Sequence, residues 1–566
     1  MAVSTTTTAD TPFDRASRAF QRRWWILGVL CFSLLVIVVD NSILNVALPE
    51  LQTSLHASNS ELQWMVDSYT LVFAGLLLSA GTLGDKFGRR GALQLGMTVF
   101  GVGSLLSAFA GTPHALILTR GLMGIGGAFI MPATLSIITN VFPPEERGRA
   151  IAFWAAVAGV GTAVGPISGG ILLSHFYWGS VFLVNLPIVA FALLSGFFLI
   201  PTSKDPTNPR LDVVGALLSV VGLMSLVYAI IEAPQDGWGS SKIVAAFALS
   251  AVVLALFAWW EGRFESPMLD VSFFKNPRFT AASSGISLIF FAMFGSMFLL
   301  TQYFQFVMLY SPLRTGLALL PIAVTMMIVA PTSARIVERV GTKMVVATGL
   351  ALTAIALASF AVVPAQHIDY MTEVFWRLVI MAAGMGLVMA PATESIMGSL
   401  PRAKAGVGSA VNDTTRQVGG ALGVAVIGSV MTSTYGSHVA KSIAASGVHG
   451  SADDIAGAKE GLGFALELAA KAPAALQAKL VTDAQAAFVS GMHEAVIFGA
   501  VAAALGAIIV AKWLPARAAA EEAFEEQEVD EVRYEHEQAK TGAGAAAAAN
   551  ATDDAGPDDS VELAEV

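Results

Sequence analysis

The sequence has little charge and almost no cysteine. Only 13% of its 566 residues are Asp, Glu, Lys or Arg, whereas soluble globular proteins have about 25% charged residues. Its single cysteine, Cys31, excludes an intrachain disulfide and any zinc or iron–sulfur site that needs several cysteines. Hydrophobic residues make up 55% of the chain, and its mean hydropathy is +0.67. This composition excludes the soluble, fibrous and wholly disordered classes and predicts a polytopic membrane protein.

Fourteen apolar stretches are long enough to cross a bilayer, which takes about 20 residues in a helix. Basic residues support this count, because the segments on one side carry 21 Lys and Arg, against two in the short loops of the other side. We therefore predict an all-α protein of the bacterial inner membrane with both termini in the cytoplasm. The predicted spans are 24–47, 63–83, 91–111, 114–138, 150–174, 180–201, 212–231, 242–260, 278–306, 313–334, 344–364, 374–398, 406–432 and 491–514.

Two short patterns occur twice along the chain. Residues 81–90 and 334–343 share the order acid, base, apolar, glycine, base, at a separation of 253 residues, and residues 131–134 match residues 390–393. Each pair is separated by eight spans, whereas a repeat of six-helix halves would be separated by six. We infer that spans 7 and 8 are inserted between two halves. Internal repeats around a central site are typical of secondary transporters.

The predicted architecture is therefore six plus two plus six helices. Its parts are a cytoplasmic tail at 1–23, a first bundle at 24–201, two inserted helices at 202–277, a second bundle at 278–514 with an outer segment of short surface helices at 433–490, and an acidic tail at 515–566. That tail contains 15 acidic and three basic residues, so it carries −12 while the rest of the chain carries +2. We expect the tail to be disordered, and its deletion to leave transport intact.

Four segments resemble signature motifs of the major facilitator superfamily. Residues 81–93 resemble its signature loop, residues 116–126 its helix 4 motif, and residues 161–170 the helix 5 motif of its antiporters. Residues 39–49 are similar to the helix 1 motif of the 14-helix drug:proton antiporters of the QacA/EmrB type. The resemblance extends from residue 24 to near residue 514. It implies the major facilitator fold, alternating access, and export of drugs in exchange for protons.

The signature loop and the helix 5 motif predict moving parts. Glycines four residues apart let a neighbouring helix approach closely, and Pro166 removes a backbone hydrogen bond and kinks its helix. We expect helix 5 to form a bent seam between the two halves that prevents proton leak; ordinary small-residue packing is the alternative. The loop is either a latch for the outward-facing state or a basic topology anchor. The residues assigned to gating and to the latch are Gly81, Asp85, Gly88, Arg89, Arg90, Glu338, Gly161, Gly165, Pro166, Gly169 and Gly170.

Ionisable residues inside the spans of the first bundle predict the proton pathway, because such residues are costly at membrane depth. With a rise of about 1.5 Å per residue, Asp40, Asp67 and Arg120 lie at one level in the outer half of the bundle. We expect Asp40 to take up and release protons, with Arg120 tuning it. Asp67 is either a second proton site or a contact for a cationic substrate. A static buried ion pair is the alternative.

The second bundle has its candidates near the inner helix ends. Asp413 and Arg416 are three residues apart and share a helix face, so an intrahelical salt bridge competes with a role in proton coupling. Glu394 has no evident partner on its own helix and is the better second candidate for protonation or cation binding. Arg377 is a possible repeat counterpart of Arg120.

Amides and aromatic residues within the spans predict a substrate cavity. Such groups on an apolar cavity suit amphipathic organic cations and bulky aromatic compounds. Ordinary helix packing or an interfacial position is the alternative, above all for Trp64. The residues assigned to the cavity are Asn45, Trp64, Tyr69, Gln302, Tyr303 and Gln305.

Together these features predict a proton-coupled antiporter that exports hydrophobic or amphipathic, often cationic, drugs or toxic organic compounds. The alternatives are a dedicated exporter of one natural product, lipid or siderophore and, from another class, a non-transporting scaffold or sensor. The sequence has no Walker A motif and no pattern of an enzyme or a metal site. We therefore expect no cofactor, metal, nucleotide or nucleic acid; the expected partners are a small organic substrate, protons and the bilayer. The oligomeric state stays open, and a monomer is compatible with the sequence.

Overall fold

The computed structural model describes residues 18–203, 212–264, 267, 271–399, 405–446 and 452–515. Within these ranges the regular structure is helical, without β-strands. We number fourteen long helices of this part of the chain in order and leave the short ones unnumbered. They are α1 Arg23–Leu55, α2 Asn59–Phe87, α3 Arg89–Ala108, α4 Pro113–Val141, α5 Pro144–His175, α6 Ser180–Leu199, α7 Val213–Asp236, α8 Ser241–Glu261, α9 Pro277–Gln302, α10 Pro312–Val340, α11 Thr342–Phe360, α12 Trp376–Gly398, α13 Ala405–Ser446 and α14 Ala474–Trp513.

Length and composition make this an all-α, multi-pass membrane protein. Twelve of the helices in the described ranges are long and apolar enough to cross a membrane. The other two, α2 and α5, contain 29 and 32 residues, so the count of fourteen spans stays a prediction. The acidic tail from residue 516 onward and residues 1–17 lie outside the described residues.

Local sequence explains where several helices begin and turn. Ser58 caps α2, because its hydroxyl accepts from the Glu61 amide while the Glu61 carboxylate accepts from the Ser58 amide. The chain turns between α2 and α3 at Gly88 (φ 126°) and between α10 and α11 at Gly341 (φ 85°). These two glycines are equivalent in the sequence repeat, and their positive φ explains why glycine occurs at both positions.

The helices pack in the following pairs, which we describe with the predicted names of the bundles and the inserted helices. In the first bundle α2 packs on α4 and α1 on α5; in the second, α9 packs on α13 and α11 on both α12 and α14. The inserted helices α7 and α8 pack on each other, and α7 also contacts α2 and α13. The two bundles meet along α2 with α13 and along α5 with α10. The charged residues of the spans are held within this framework.

The last two long helices extend well beyond a bilayer. With 42 and 40 residues, α13 and α14 are each about 60 Å long, whereas a bilayer core is about 30 Å thick. Both helices therefore continue past the predicted span limits at 432 and 491, and much of the segment 433–490 belongs to them. Its alanine-rich composition favours helix over loop. Two short helices, Ala452–Glu460 and Leu462–Lys471, connect them within the described residues.

Two faces of the molecule are needed below. We call the helix ends near Arg23, Arg90, Lys343 and Lys512 the basic face. The opposite ends, where the short helices Ala452–Glu460 and Leu462–Lys471 lie, are the far face.

Candidate functional site

A buried ion pair joins two helices of the first bundle. Arg120 of α4 is fully buried and Asp40 of α1 is 2% exposed. The Arg120 guanidinium donates from Nη1 to Asp40 Oδ2, and from Nε to the Met65 carbonyl of α2 at 3.2 Å. Sequence analysis predicted the proximity of this pair. Since the two charges lie on different helices, a relative movement of α1 and α4 would separate them.

The Asp40 carboxylate has a second partner that sequence analysis missed. Asn185 of α6 donates from Nδ2 to Asp40 Oδ1 at 2.9 Å and to the Ser104 hydroxyl of α3 at 3.0 Å. Asn185 is fully buried. Asn185 could have been noticed in the sequence as a lone amide within an apolar span. Its partner Asp40 lies 145 residues away, so the pairing could not have been read from spacing. Asp40 is therefore held by groups from two other helices.

Small residues bring α2 and α4 close enough to enclose the pair. A Cβ added at Gly124 would lie 2.6 Å from the Tyr69 carbonyl oxygen, so a larger residue at position 124 would push the helices apart. The Tyr69 ring lies 4.5 Å from Arg120 Cζ, a cation–π contact. Tyr69 is fully buried against this charge, and its assignment to the substrate cavity stays a prediction.

Asp67 stands apart from the ion pair. It is fully buried, and neither of its carboxylate oxygens has a hydrogen-bond partner among the described residues. The same is true of both side-chain polar atoms of Gln63, one helical turn away. A Cβ at Gly428 of α13 would lie 2.6 Å from Gln63 Cδ, so this face of α2 is closed by the second bundle.

Asp413 and Arg416 of the second bundle pair within one helix. Arg416 Nη1 lies 3.6 Å from Asp413 Oδ1 on α13, and Arg416 Nη2 donates to the Thr393 hydroxyl of α12 at 2.8 Å. The intrahelical alternative considered for this pair is thus what the structure contains. Glu394 is exposed and interacts electrostatically with Arg278, so it has a charged neighbour on another helix.

Arg377 differs from its suggested counterpart Arg120. Its guanidinium donates to the carboxylate and the carbonyl of Glu373, four residues earlier, and from Nε to the Ser359 carbonyl at 3.0 Å. An ion pair on one helix moves as a unit when that helix moves. Among the described residues, Arg377 therefore differs from Arg120 in making no contact with a carboxylate on another helix.

We had expected the helix 5 glycines to face the other bundle. Three of them face α1 of their own bundle instead. Cβ atoms at Gly161, Gly165 and Gly169 would lie 2.9, 1.8 and 3.5 Å from side-chain atoms of α1. This stripe packs α5 against the helix that carries Asp40, within the first bundle. Two other residues of the motif do form the seam between the halves: Gly170 lies against Leu313 and Pro166 against Gly316. Helix 5 therefore joins α1 to α10.

The residues assigned to the latch lie at the basic face. Gly81 and Asp85 belong to α2 rather than to a loop, and the side chain of Asp85 is outside the described part of the structure. Gly81 packs on Pro132 of α4. The Arg89 amide donates to the Ser203 carbonyl at 3.1 Å, and Arg90 lies over the Phe197 ring at 4.8 Å. In the second repeat Glu338 is exposed.

The other residues assigned to the cavity have mixed surroundings. Gln302 and Tyr303 are buried, and Gln302 bonds to its own helix. Gln305 donates to the Val46 carbonyl of α1 at 2.8 Å, which joins the two bundles instead of lining a cavity. Trp64 faces the inserted helix α7. Asn45 is half-buried, and its described hydrogen bond stays within α1, where it donates to the Asn41 carbonyl.

The contacts between the bundles that have been described lie toward the far face. The short helices add one more contact there. The buried side chain of Gln52, near the far end of α1, accepts from the Gly463 amide at 3.3 Å. Beside this contact, burial and the carboxylate of Glu61 raise the pKa of Glu460. We therefore expect the contacts of this segment to be weaker at a pH above that raised pKa, where an ionised Glu460 is partly buried beside Glu61.

Comparison with known proteins identifies the family and its relatives. Residues 30–424 match the family model described as Major Facilitator Superfamily. The chain is 36% identical to the "Multidrug efflux pump LfrA" of Mycolicibacterium smegmatis over 87% of its own length and 97% of that protein. It is 32% identical to the "Tetracenomycin C resistance and export protein" of Streptomyces glaucescens, with coverage of 73% and 77%. It is 33% identical to the "Methyl viologen resistance protein SmvA" of Salmonella typhimurium, with coverage of 83% and 93%.

Solved structures show the same fold at low sequence identity. A bacterial homologue of the human lysosomal transporter Spinster, in an inward-facing and occupied conformation, matches with a TM-score of 0.61 at 16% identity, over 86% of this chain and 96% of that one. The peptide transporter POT in complex with sulfate matches with a TM-score of 0.57 at 12% identity, over 86% and 95%. The family match and the fold together show that this chain belongs to the major facilitator superfamily of membrane transporters.

Proposed function

We propose that the protein is a proton-coupled antiporter that exports hydrophobic or amphipathic, often cationic, organic compounds across a bacterial cell membrane by alternating access. The buried pair of Asp40 and Arg120 carries this proposal, because a carboxylate held between a cation and an apolar surrounding can exchange a proton when its partner moves. The efflux and resistance proteins to which the chain is similar support the substrate class.

The described contacts support one conformation of the transport cycle. Gln305 with Val46, Gly170 with Leu313, and Gln63 with Gly428 join the bundles toward the far face. We propose that this is the state in which the central space opens to the basic face, and that the basic face is cytoplasmic. Rocking of the bundles would then open the far face and release the substrate there.

Asp67 has a defined place in this cycle. An ionised carboxylate without a hydrogen-bond partner is costly in a site closed to water, so we propose that Asp67 carries a proton in this state. Opening of the far face would separate α2 from α13 and give Asp67 access to water. Asp40 and Asp67 would thus respond to different movements: Asp40 to the movement of α1 against α4, Asp67 to that of α2 against α13.

Dye transport in everted membrane vesicles tests the function. An imposed proton gradient should drive ethidium uptake by the wild type, and Asp40→Asn should abolish it. Glu50→Gln, on the same helix near the far face, is the matched control and should transport normally. Asp67→Asn is a second variant: because Asp67 has no partner to lose, this variant should fold normally and still lose proton-driven uptake.

The outcomes separate the parts of the proposal. If Asp40→Asn vesicles accumulated ethidium as well as the wild type, the proton-coupling role of Asp40 would be wrong. If Asp40→Asn failed to insert, Asp40→Glu, which keeps the charge at a shifted position, should insert and transport more slowly. If no compound in a panel of organic cations and neutral drugs released protons from the purified protein, the non-transporting scaffold would be favoured.

Orientation has its own test. The chain has a single cysteine, so a Cys31→Ser background can carry one new cysteine at a time. A membrane-impermeant maleimide added to intact cells should label Lys242→Cys at the far face and leave Lys343→Cys at the basic face unlabelled. The reverse pattern would overturn the assignment of the basic face to the cytoplasm.

A further inference from the structure

The inserted helix α7 is bonded to both bundles at the seam that closes the far face. From the first bundle, Ser60 of α2 donates to the Ile231 carbonyl at 3.3 Å, and Trp64 Nε1 donates to Glu232 Oε1 at 3.1 Å. From the second bundle, Ser429 of α13 donates to the Ile230 carbonyl at 2.7 Å. Two neighbouring carbonyls of α7 thus face two different bundles.

A proline explains why one of these carbonyls is available. Pro234 lies inside α7 and has no amide hydrogen, so the Ile230 carbonyl four residues earlier loses its helical donor. The Ser429 hydroxyl takes the place of that donor. The kink site of α7 is therefore also its attachment to the second bundle, and α7 must release one bundle when α2 and α13 separate.

The same seam covers Asp67. Ser60, Trp64, Asp67 and Leu71 follow the three-and-four residue spacing that places side chains on one helix face. Ser60 and Trp64 bond to α7, and Leu71 is buried in a cluster with residues of α7 and α13. The members of that cluster are Leu71, Val227, Ile231, Ala421 and Ala425. Asp67 therefore lies on the face of α2 that α7 and α13 close.

Glu232 is the carboxylate placed between Asp67 and the far face. It is half-buried, and its Oε1 atom accepts from Trp64, one helical turn from Asp67 toward the far face. The titratable groups around it are Asp67 on α2, Tyr228 on α7, whose ring lies 6.3 Å from that of Trp64, and the Asp236–Lys242 pair. That pair is closed by a 2.7 Å hydrogen bond, so its charges compensate each other.

We propose that Glu232 is a proton-transfer residue that carries protons between far-face water and Asp67. This inference rests on the proposed function and specifies its proton path. When the seam opens, the Glu232 carboxylate takes a proton from water on the far side. The resulting carboxylic acid passes that proton, through intervening water, to the Asp67 carboxylate. Glu232 ends as a carboxylate and Asp67 as a neutral acid, which the reclosed seam then buries.

The test compares a variant that keeps the hydrogen bond with one that keeps the proton carrier. Glu232→Gln retains an acceptor for Trp64 Nε1 but cannot carry a proton, whereas Trp64→Phe removes the hydrogen bond and keeps the carboxylate. In everted vesicles the far face lines the lumen, so ethidium uptake driven by an acidic lumen measures proton delivery from that face. Ethidium counterflow without a proton gradient measures substrate movement alone.

If Glu232 delivers protons, Glu232→Gln should lower gradient-driven uptake by about tenfold or more and flatten its dependence on lumenal pH. Counterflow should stay near the wild-type rate. Trp64→Phe should leave the ratio of driven uptake to counterflow at its wild-type value, whatever its effect on substrate binding, and Glu232→Asp should restore part of the driven uptake.

The opposite pattern would overturn the inference. A purely structural role predicts that Glu232→Gln behaves like the wild type, while Trp64→Phe and Glu232→Ala lose both kinds of transport equally. Asp67→Asn separates this failure from failure of the proposed function. If Asp67→Asn loses driven uptake and Glu232→Gln does not, only the proton path through Glu232 is wrong; if Asp67→Asn transports normally, the role of Asp67 is wrong as well.

Discussion

Arg120 and Arg377 each lie on the fourth helix of their six-helix bundle, but they are paired in different ways. Arg120 reaches from α4 to a carboxylate on α1, and both groups are buried. Arg377 bonds to Glu373 on its own chain segment, and that pair is partly exposed. A pair between helices depends on how those helices are placed, whereas a pair along one helix survives when the helix moves.

This difference indicates a division of labour between the halves. The first bundle combines the cross-helix pair with the unpartnered Asp67, so its charges can report a conformational change. In the second bundle Arg377 and Arg416 pair with carboxylates close by in the same chain segment. We propose that proton coupling is concentrated in the first bundle, and the following variants test that asymmetry.

The largest effect is expected from Arg120→Met. Removing one partner leaves Asp40 as an uncompensated buried charge, which costs about 3–5 kcal/mol. We expect a large loss of stability, measured by tryptophan fluorescence during unfolding in detergent. The double variant Asp40→Asn/Arg120→Met leaves no charge behind and should recover most of the stability, but not proton-driven transport. A double variant as unstable as Arg120→Met would contradict this electrostatic account.

The next effect should come from the helix 5 stripe. A Cβ at Gly165 would collide with the Ser42 hydroxyl at 1.8 Å, whereas a Cβ at Gly169 would lie at an ordinary 3.5 Å from Ile43. Gly165→Ala should cost about 1–3 kcal/mol by overpacking and slow transport, because it displaces the helix that carries Asp40. Gly169→Ala is the matched control and should be tolerated. Equal losses in both variants would show that the contact of α5 with α1 is not what selects glycine.

The fold and part of the site could be predicted from the sequence, for physical reasons. Apolar length, basic asymmetry and the 253-residue repeat predicted the spans and the repeated architecture, four motifs carried the resemblance to the family, and the rise per residue placed Asp40 and Arg120 at one level. The direction of the helix 5 stripe could not be predicted, because a row of glycines does not show which neighbour it contacts. Asn185 was missed because its role depends on the packing of α6 against α1 and α3.

The residues assigned to the substrate cavity also show that tertiary contacts could not be predicted from residue type. Tyr69 and Gln305 have residue types that suit a substrate site, but the structure uses one against Arg120 and the other to join the bundles. Amides and aromatic rings serve both purposes, and only tertiary contacts distinguish them. The ends of α13 and α14 could not be predicted for a related reason, since hydropathy marks the bilayer rather than the end of a helix.

A smaller effect is expected from Arg377→Met. Its ion pair with Glu373 is partly exposed, and such pairs contribute about 1 kcal/mol or less. We expect a modest loss of stability in the same detergent assay and proton-driven ethidium uptake close to that of the wild type. A loss of transport comparable to that of Arg120→Met would show that both bundles take part in coupling and would remove the asymmetry.

The smallest effect on stability should come from Glu338→Gln, near the end of α10 in the repeat of the signature loop. Glu338 is exposed in this conformation, and substitutions at such positions usually change stability by no more than about 0.5 kcal/mol. If the loop is a latch for the outward-facing state, its contacts form only after the bundles rock, so transport should slow while stability in the present state is unchanged. Stopped-flow dye uptake together with detergent unfolding measures both. Wild-type uptake by Glu338→Gln would instead make this loop a topology anchor, and the asymmetry between the bundles would then extend to their basic-face loops.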